Sequence, residues 1–357
     1  MPRILVLPGD GIGVEVTNVS LDILEILGKK HGVEFEFETE LFGGSSIDAH
    51  GAPVTEEVLD KAKASDAVLM GAVGGPKWEN LEHSKKPESG LLAIRKELDA
   101  FANLRPAVVY PALADASTLK RDVVEGTDIM VVRELTGGIY FGSPSGVDRI
   151  SDSEEKGYNT MVYTTHEIER IARVAFDIAR KRKNKVTSID KANVLDVMQL
   201  WRTVVTNVRE KEYPDVELEH LYVDNAAMQL IRRPKSFDVM LAGNLFGDII
   251  SDEAAQLTGS LGMLPSASIG KGAIYEPVHG SAPDIAGQDI ANPIASLLTT
   301  AMMLKYSLDL DAAAGEIEDA VRRVLEKGYR TADIFQEGTK KVGCAEMGRL
   351  VAEELNG

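Results

Sequence analysis

A two-domain α/β fold with a largely parallel sheet is predicted by three observations in the 357-residue sequence. Short apolar runs at 4–7, 67–70, 129–132, 186–189, 218–223 and 239–242 have the length and composition of buried strands. Helical patterns fill the stretches between them, and strands that alternate with helices build a parallel sheet. With 44% hydrophobic and 27% charged residues, a chain this long has material for two cores of ordinary size.

Residues 4–7 lead into the turn Gly9-Asp10-Gly11-Ile12-Gly13, and Val16, Val19, Leu24 and Leu27 then mark one face of a helix. The turn sits where a dinucleotide fingerprint would, but its spacing is G-x-G-x-G rather than G-x-G-x-x-G. Glu34, Glu36 and Glu38 alternate as solvent-facing strand residues do, so none stands out as a ribose ligand. A tight turn, and not a Rossmann fold, is the reading. Between 143 and 163 a polar insertion with Ser143-Pro144-Ser145-Gly146 and Ser151-Asp152-Ser153-Glu154-Glu155, flanked by a strand-like stretch at 158–163, predicts a projecting hairpin arm. Thr164-Thr165-His166-Glu167 has capping-box spacing ahead of the stripe Ile168, Ile171, Ala175, Phe176 and Ile178. The run Arg180-Lys181-Arg182-Lys183 closes that helix as a solvated, dipole-compatible end.

Net charge is −17, which disfavours nucleic acid and anionic membrane surfaces as partners. Cys344 is the only cysteine, so neither an intramolecular disulfide nor a multi-cysteine metal site is available, and a reducing cytoplasm is expected. Met1-Pro2-Arg3-Ile4 runs straight into strand and turn without the features of a signal peptide. No apolar run approaches the roughly 20 residues needed to span a bilayer.

In Gly243-Asn244-Leu245-Phe246-Gly247-Asp248-Ile249-Ile250-Ser251-Asp252-Glu253, the i, i+4 spacing puts Asp248 and Asp252 on one helical face. Adjacent carboxylates repel, and a hard cation such as magnesium or manganese relieves that by taking oxygens from both. Spacing alone leaves a pair of unrelated surface acids equally open. Arg95, Arg105 and Arg133 sit near element ends, where guanidinium forks meet ligand carboxylates in α/β folds, although any one of them alone is more often a surface ion-pair partner than a substrate ligand. Lys191 follows the strand at 186–189, and Asp224 occupies the same place in the next unit, with a helix N-cap as its alternative role. Tyr140 is bracketed by glycines that permit close backbone approach. The segment Glu276-Pro277-Val278-His279-Gly280-Ser281-Ala282-Pro283-Asp284-Ile285 reads as a binding loop, whereas Asn292 before Pro293 is fully explained as an N-cap.

These segments, with Gly71-Ala72-Val73-Gly74-Gly75-Pro76-Lys77-Trp78, Asn103-Leu104-Arg105-Pro106, Val132-Arg133-Glu134-Leu135-Thr136-Gly137-Gly138-Ile139-Tyr140-Phe141-Gly142 and Asp190-Lys191-Ala192-Asn193-Val194, closely resemble the isopropylmalate/isocitrate dehydrogenase family of β-decarboxylating dehydrogenases. The likeness runs the length of the chain. It implies a first domain from 1–100 and 253–357 carrying most of the NAD site, and a second from 101–252 carrying the dimer contacts and the arm. It also implies a homodimer with shared active sites, requiring NAD and Mg2+ or Mn2+. By the same likeness Arg95, Arg105 and Arg133 hold the substrate carboxylates, and Asp248 and Asp252 bind metal with Asp224 from the partner subunit. Lys191, working with Asp224, is the implied base and Tyr140 the implied proton donor. Gly75, Glu88, His279, Gly280, Ser281, Ala282, Pro283, Asp284, Ile285 and Asn292 are the implied cofactor contacts, the acidic Asp284 favouring NAD over its 2'-phosphorylated form. Leu91, Leu92 and Val194 offer an apolar wall suited to an isopropyl group, which points within the family to oxidative decarboxylation of 3-isopropylmalate in leucine biosynthesis. A relative acting on another substituted malate is the nearest alternative. A silent regulatory subunit is disfavoured because the site residues are all present. Val14 stands where the family usually has proline, which touches no catalytic role.

Overall fold

Ile4, Leu5, Val6 and Leu7 are all at most 1% exposed, so strand Arg3–Gly9 is buried on both faces, as a central parallel strand must be. In the computed structural model, which describes residues 1–356, this strand lies between Glu36–Thr39 and Ala67–Ala72, parallel to both. The next strand in space comes from far along the chain: Ala273–Tyr275 pairs parallel with Ala67–Ala72 and antiparallel with Ala267–Ile269. The unit these strands belong to therefore combines Met1–Ala100, Val109–Arg121 and the chain from Ala255 on. Its core includes Leu5, Leu7, Phe42, Val68, Met70, Ile94 and Ile274. The segment Val109–Arg121 is tied there because buried Arg330 donates to the Ala112 carbonyl at 2.7 Å.

The second unit holds Phe101–Val108 and Asp122–Ala254. Strands Asp128–Glu134, Val239–Ala242, Lys185–Asp190 and Glu217–Tyr222 are parallel in that spatial order. Ala102–Val108 joins Asp128–Glu134 antiparallel, with Arg105 opposite Val131 and Pro106 opposite Met130. Each unit thus has a mostly parallel α/β sheet with one antiparallel pairing.

Helix Thr165–Arg180 buries Ile168, Ile171, Ala172, Ala175, Phe176 and Ala179 on one face, and its capping box is complete. Thr164 Oγ1 accepts from the Glu167 N–H at 3.3 Å, and Glu167 accepts from the Thr164 N–H at 2.7 Å. Thr164→Ala is expected to cost about 1 kcal/mol, read as a lower urea midpoint with an unchanged slope. The basic run after this helix differs from expectation. Arg182 is mostly buried and pairs with Asp128 and with Asp238, both at 2.8 Å, because the chain turns back there onto the sheet.

The insertion forms a two-stranded antiparallel hairpin, Gly146–Arg149 against Glu155–Tyr158. Residues 159–164 are not a strand, contrary to the expected strand-like return, because the Thr160 carbonyl packs against Gly142 and the Val162 carbonyl accepts from Gly138. Helix Ile294–Tyr306 is buried from Ile294 through Leu304, but 13 residues are too few to cross a bilayer. Among the described residues, no helix is long and apolar enough to do so.

Candidate active site

Strand Val239–Ala242 delivers the chain through Gly243 into helix Asn244–Leu257, which carries both candidate metal acids. Arg105 Nη1 lies 3.6 Å from Asp248 Oδ1 and 3.2 Å from Asp252 Oδ1, so the two carboxylates face one guanidinium nitrogen. Arg105 also donates to Ser251 Oγ at 2.7 Å and to Asn103 Oδ1 at 2.8 Å, which fixes its fork. Arg133, 3% exposed at the end of strand Asp128–Glu134, donates through Nη1 to Asp248 Oδ1. Gly247 makes that approach possible, since a Cβ there would meet Arg133 Cγ at 2.6 Å. Two acids and two arginines therefore meet in one cluster within the second unit.

Tyr140 joins this cluster. It ends a short 3-10 turn, Gly138–Tyr140, opened by Gly138 at φ 75°, and its phenol donates to Asp248 Oδ2 at 3.0 Å. Burial, reinforced by the charge of Asp248, pushes the phenol pKa above its usual value, so Tyr140 keeps its proton at neutral pH. Burial likewise raises the Asp252 carboxyl, with Arg105 opposing and Asp248 adding to the shift.

Lys191 and Asp224 form a second pair in the same unit, 3.0 Å apart. Asp224 is not an N-cap: helix Val223–Arg232 begins one residue earlier, and Tyr222 holds the cap position. Its carboxylate instead meets Lys191, whose hydrogen bond holds the Asp224 pKa below the ordinary value. Val194, 68% exposed, lies three residues beyond Lys191.

The remaining candidates belong to the first unit. Gly75, Glu88, Leu92 and Pro283 are among the residues that line one concavity of about 580 Å³, together with Trp78 and His83. That volume is within the range of small-molecule pockets. Leu91, by contrast, packs against the core. Arg95, 8% exposed, is bound to Glu276 of the 276–285 loop. The Gly9–Gly13 turn supports that loop: the Ile12 N–H donates to the Ser281 carbonyl at 2.8 Å, and a Cβ on Gly11 would sit 2.0 Å from it. Ser281 Oγ in turn donates to Gly74 O at 2.8 Å. His279 is buried beside the Gly280 carbonyl, and burial lowers its pKa, which leaves the ring neutral. Gly280, Pro283 and Asp284 are exposed, Ala282 and Ile285 partly so, and Ala282 has a left-handed φ of 38°. Asn292 accepts from the Ile294 N–H and donates to Asp333, each at 3.0 Å, but it is not the expected N-cap: helix Ile294–Tyr306 has Pro293 at its cap position, and Asn292 serves its first N–H from one residue earlier.

A different cluster, Glu15, Asp289 and Cys344, brings potential donor atoms within 4.8 Å of one another. Structural roles account for it. Asp289 accepts from the Ala345 N–H at the start of helix Cys344–Asn356, Glu15 accepts from the Gly287 N–H, and burial pushes the Cys344 thiol up to about 12.

Residues 3–351 match the model of the isocitrate/isopropylmalate dehydrogenase family. The chain belongs to this family. Two similar proteins are the 3-isopropylmalate dehydrogenases of Paramagnetospirillum magneticum, 59% identical over 99% of this chain and 98% of that one, and of Nostoc, 60% identical over the same shares. Among solved structures, the isocitrate dehydrogenase of Methylococcus capsulatus is similar with a TM-score of 0.89 and 33% identity, covering 100% of both chains. A β-decarboxylating dehydrogenase of Thermococcus kodakarensis is similar with a TM-score of 0.80 and 35% identity, over 100% of this chain and 96% of that one. As a family member the chain is a decarboxylating dehydrogenase, an enzyme acting on a small molecule.

Three residues that hold candidate side chains or their loops went unread in the sequence, two in the first unit and one in the second. Asp10 is 6% exposed and accepts N–H bonds from Gly44, Ser45 and Gly74, joining three loops that are far apart along the chain. Glu276 is the partner of Arg95, and Asn244 is the partner of Arg133. An acid inside a glycine-rich turn was the visible signal for Asp10; Glu276 and Asn244 stood inside the quoted segments 276–285 and 243–253, but nothing local named their arginine partners.

Proposed function

We propose that this dehydrogenase oxidises and decarboxylates 3-isopropylmalate to 4-methyl-2-oxopentanoate with NAD, a step of leucine biosynthesis, as a cytoplasmic homodimer. The observation that carries the proposal is the cluster of Asp248, Asp252, Arg105, Arg133 and Tyr140, taken with the names of the relatives. Oxygen donors one helical turn apart fit Mg2+ or Mn2+, and Asp224 would supply a third from the partner subunit. The concavity lined by Gly75, Glu88 and Pro283 fits the cofactor, with Asp284 suited to the free ribose hydroxyls of NAD. When bound, NAD accepts the hydride and the divalent cation supplies Lewis-acid stabilisation of charge at the C2 oxygen.

Arg95, Arg105 and Arg133 grip the two carboxylates of the substrate. Lys191 takes the C2 hydroxyl proton as the base of the reaction, and the adjacent Asp224 holds the ammonium as its ion-pair partner. Carbon dioxide leaves from C3, and Tyr140, held as a neutral phenol, returns a proton to that carbon. Leu92 gives the alkyl branch an apolar surface rather than a polar partner for a third carboxylate. The exposed apolar side chains of Val194, Met228, Ile231 and Ile249 support a dimer that would pass Lys191 and Asp224 to the neighbouring site.

NADH formation from 3-isopropylmalate is expected to exceed that from isocitrate by at least about 10²-fold, and excess EDTA is expected to stop it. Equal rates on isocitrate, or full activity in EDTA, would overturn the proposal.

A further inference from the structure

We infer that Asn244 is a positioning residue that sets both the plane of the Arg133 guanidinium and the turn presenting Tyr140. It opens helix Asn244–Leu257 and is 1% exposed. Its Oδ1 accepts from Arg133 Nε at 3.1 Å and from Nη2 at 2.8 Å. Its Nδ2 donates to the carbonyls of Leu135 and Gly137, each at 3.0 Å. Only one amide orientation satisfies this surrounding, because a flipped amide would aim NH2 at a cation and oxygen at two carbonyls.

An asparagine at a helix start ordinarily uses its oxygen to cap the first-turn N–H groups. Here both lone pairs go to Arg133, so helix capping does not explain the side chain. The fork is held along its Nε–Nη2 edge while Nη1 reaches Asp248. The two carbonyls that Nδ2 meets belong to the chain leading directly into Gly138–Tyr140. The backing is rigid. Tyr163 accepts from the Asn244 N–H at 2.7 Å, and a Cβ on Gly137 would meet its ring at 2.9 Å while one on Gly138 or Gly243 would meet its hydroxyl at 2.5 or 3.0 Å. Glu134 accepts from the Thr136 and Gly137 N–H groups at 2.9 and 2.8 Å, gripping the same turn from the other side.

The inference rests on the proposed role of Arg133 as a carboxylate ligand, and two variants separate it from a structural role. Asn244→Ser keeps a small polar side chain at the helix start but is too short to hold both nitrogens of the fork. It is expected to lower the urea midpoint, because buried Arg133 and the Leu135 and Gly137 carbonyls lose their partners, and to raise KM for 3-isopropylmalate roughly tenfold with KM for NAD unchanged, a split that lost stability alone does not produce. Asn244→Asp keeps one carboxylate oxygen toward Arg133 but turns the other, which cannot donate, at the Leu135 and Gly137 carbonyls. Its expected effect is on kcat, with KM for 3-isopropylmalate near the parent value. Adding Asn244→Ser to Arg133→Lys is expected to change KM little further, because lysine has no fork to orient. Hydrogen exchange at Arg133 Nε–H, followed by 15N NMR, needs no substrate and is expected to accelerate in Asn244→Ser. Parent-like kinetics and exchange in Asn244→Ser, or a fully additive penalty in the double variant, would overturn the inference. An unchanged KM in Arg133→Lys alone would instead overturn the reading of Arg133, and the exchange measurement would still decide whether Asn244 orients it.

Discussion

Lys191→Met is expected to lower kcat by roughly 10²–10⁴-fold, the range attributed to a positioned general base, while leaving the fold intact. Methionine keeps an unbranched apolar stem of similar reach but has no basic nitrogen. The pair that Lys191 makes with Asp224 is substantially solvated, the acid being 64% exposed, so its loss costs little stability. Oxidation would fail for want of a group to take the hydroxyl proton. Initial rates of NADH formation together with a urea unfolding curve check both halves. A variant that unfolds like the parent and still produces NADH at the parental rate would remove Lys191 from the mechanism.

Asp248→Asn is expected to be comparably severe. The substitution preserves shape but replaces one of two acceptor oxygens with a donor and removes the charge at which Arg133, Arg105 and the Tyr140 phenol converge. Loss of an outer-shell partner already lowers metal affinity by 10–100-fold, so loss of a donor itself is expected to cost about 10²-fold or more at subsaturating cation. Titrating Mn2+ against initial rate would read the effect as a rightward shift of the activation midpoint. An unshifted midpoint would mean that the acid serves only to balance the arginines.

Patterns confined to a few neighbouring residues were legible in the chain. The apolar runs at 4–7, 129–132 and 239–242 fall within strands Arg3–Gly9, Asp128–Glu134 and Val239–Ala242, because burial on both faces demands unbroken apolar sequence. The capping box at Thr164 formed for a similar reason: its two hydrogen bonds lie within four consecutive residues. Strand Ala102–Val108 was harder to see. Asn103, Arg105 and Pro106 interrupt its apolar pattern, and its pairing with Asp128–Glu134 supplies the order that local propensity lacks.

Side-chain partnerships across long separations were not legible. The basic run at 180–183 read as a solvated helix end, yet Arg182 finds Asp238, a residue 56 positions later and almost wholly buried. Arg133 meets Asn244 and Asp248 across 111 and 115 positions. Nothing in the composition around either site encodes the match.

By itself the sequence determined the alternation of buried strands and amphipathic helices, the hairpin insertion, and the placing of Asp248 and Asp252 on one helical face, since each depends on the periodicity of a single element. Tertiary structure alone decided that Arg105 and Arg133 would flank those acids, that Tyr140 would donate to one of them, and that one buried amide would hold an arginine and a turn together. Such contacts arise where the ends of separate strands converge, and the geometry of convergence comes from how the sheet is ordered and not from any local stretch of chain.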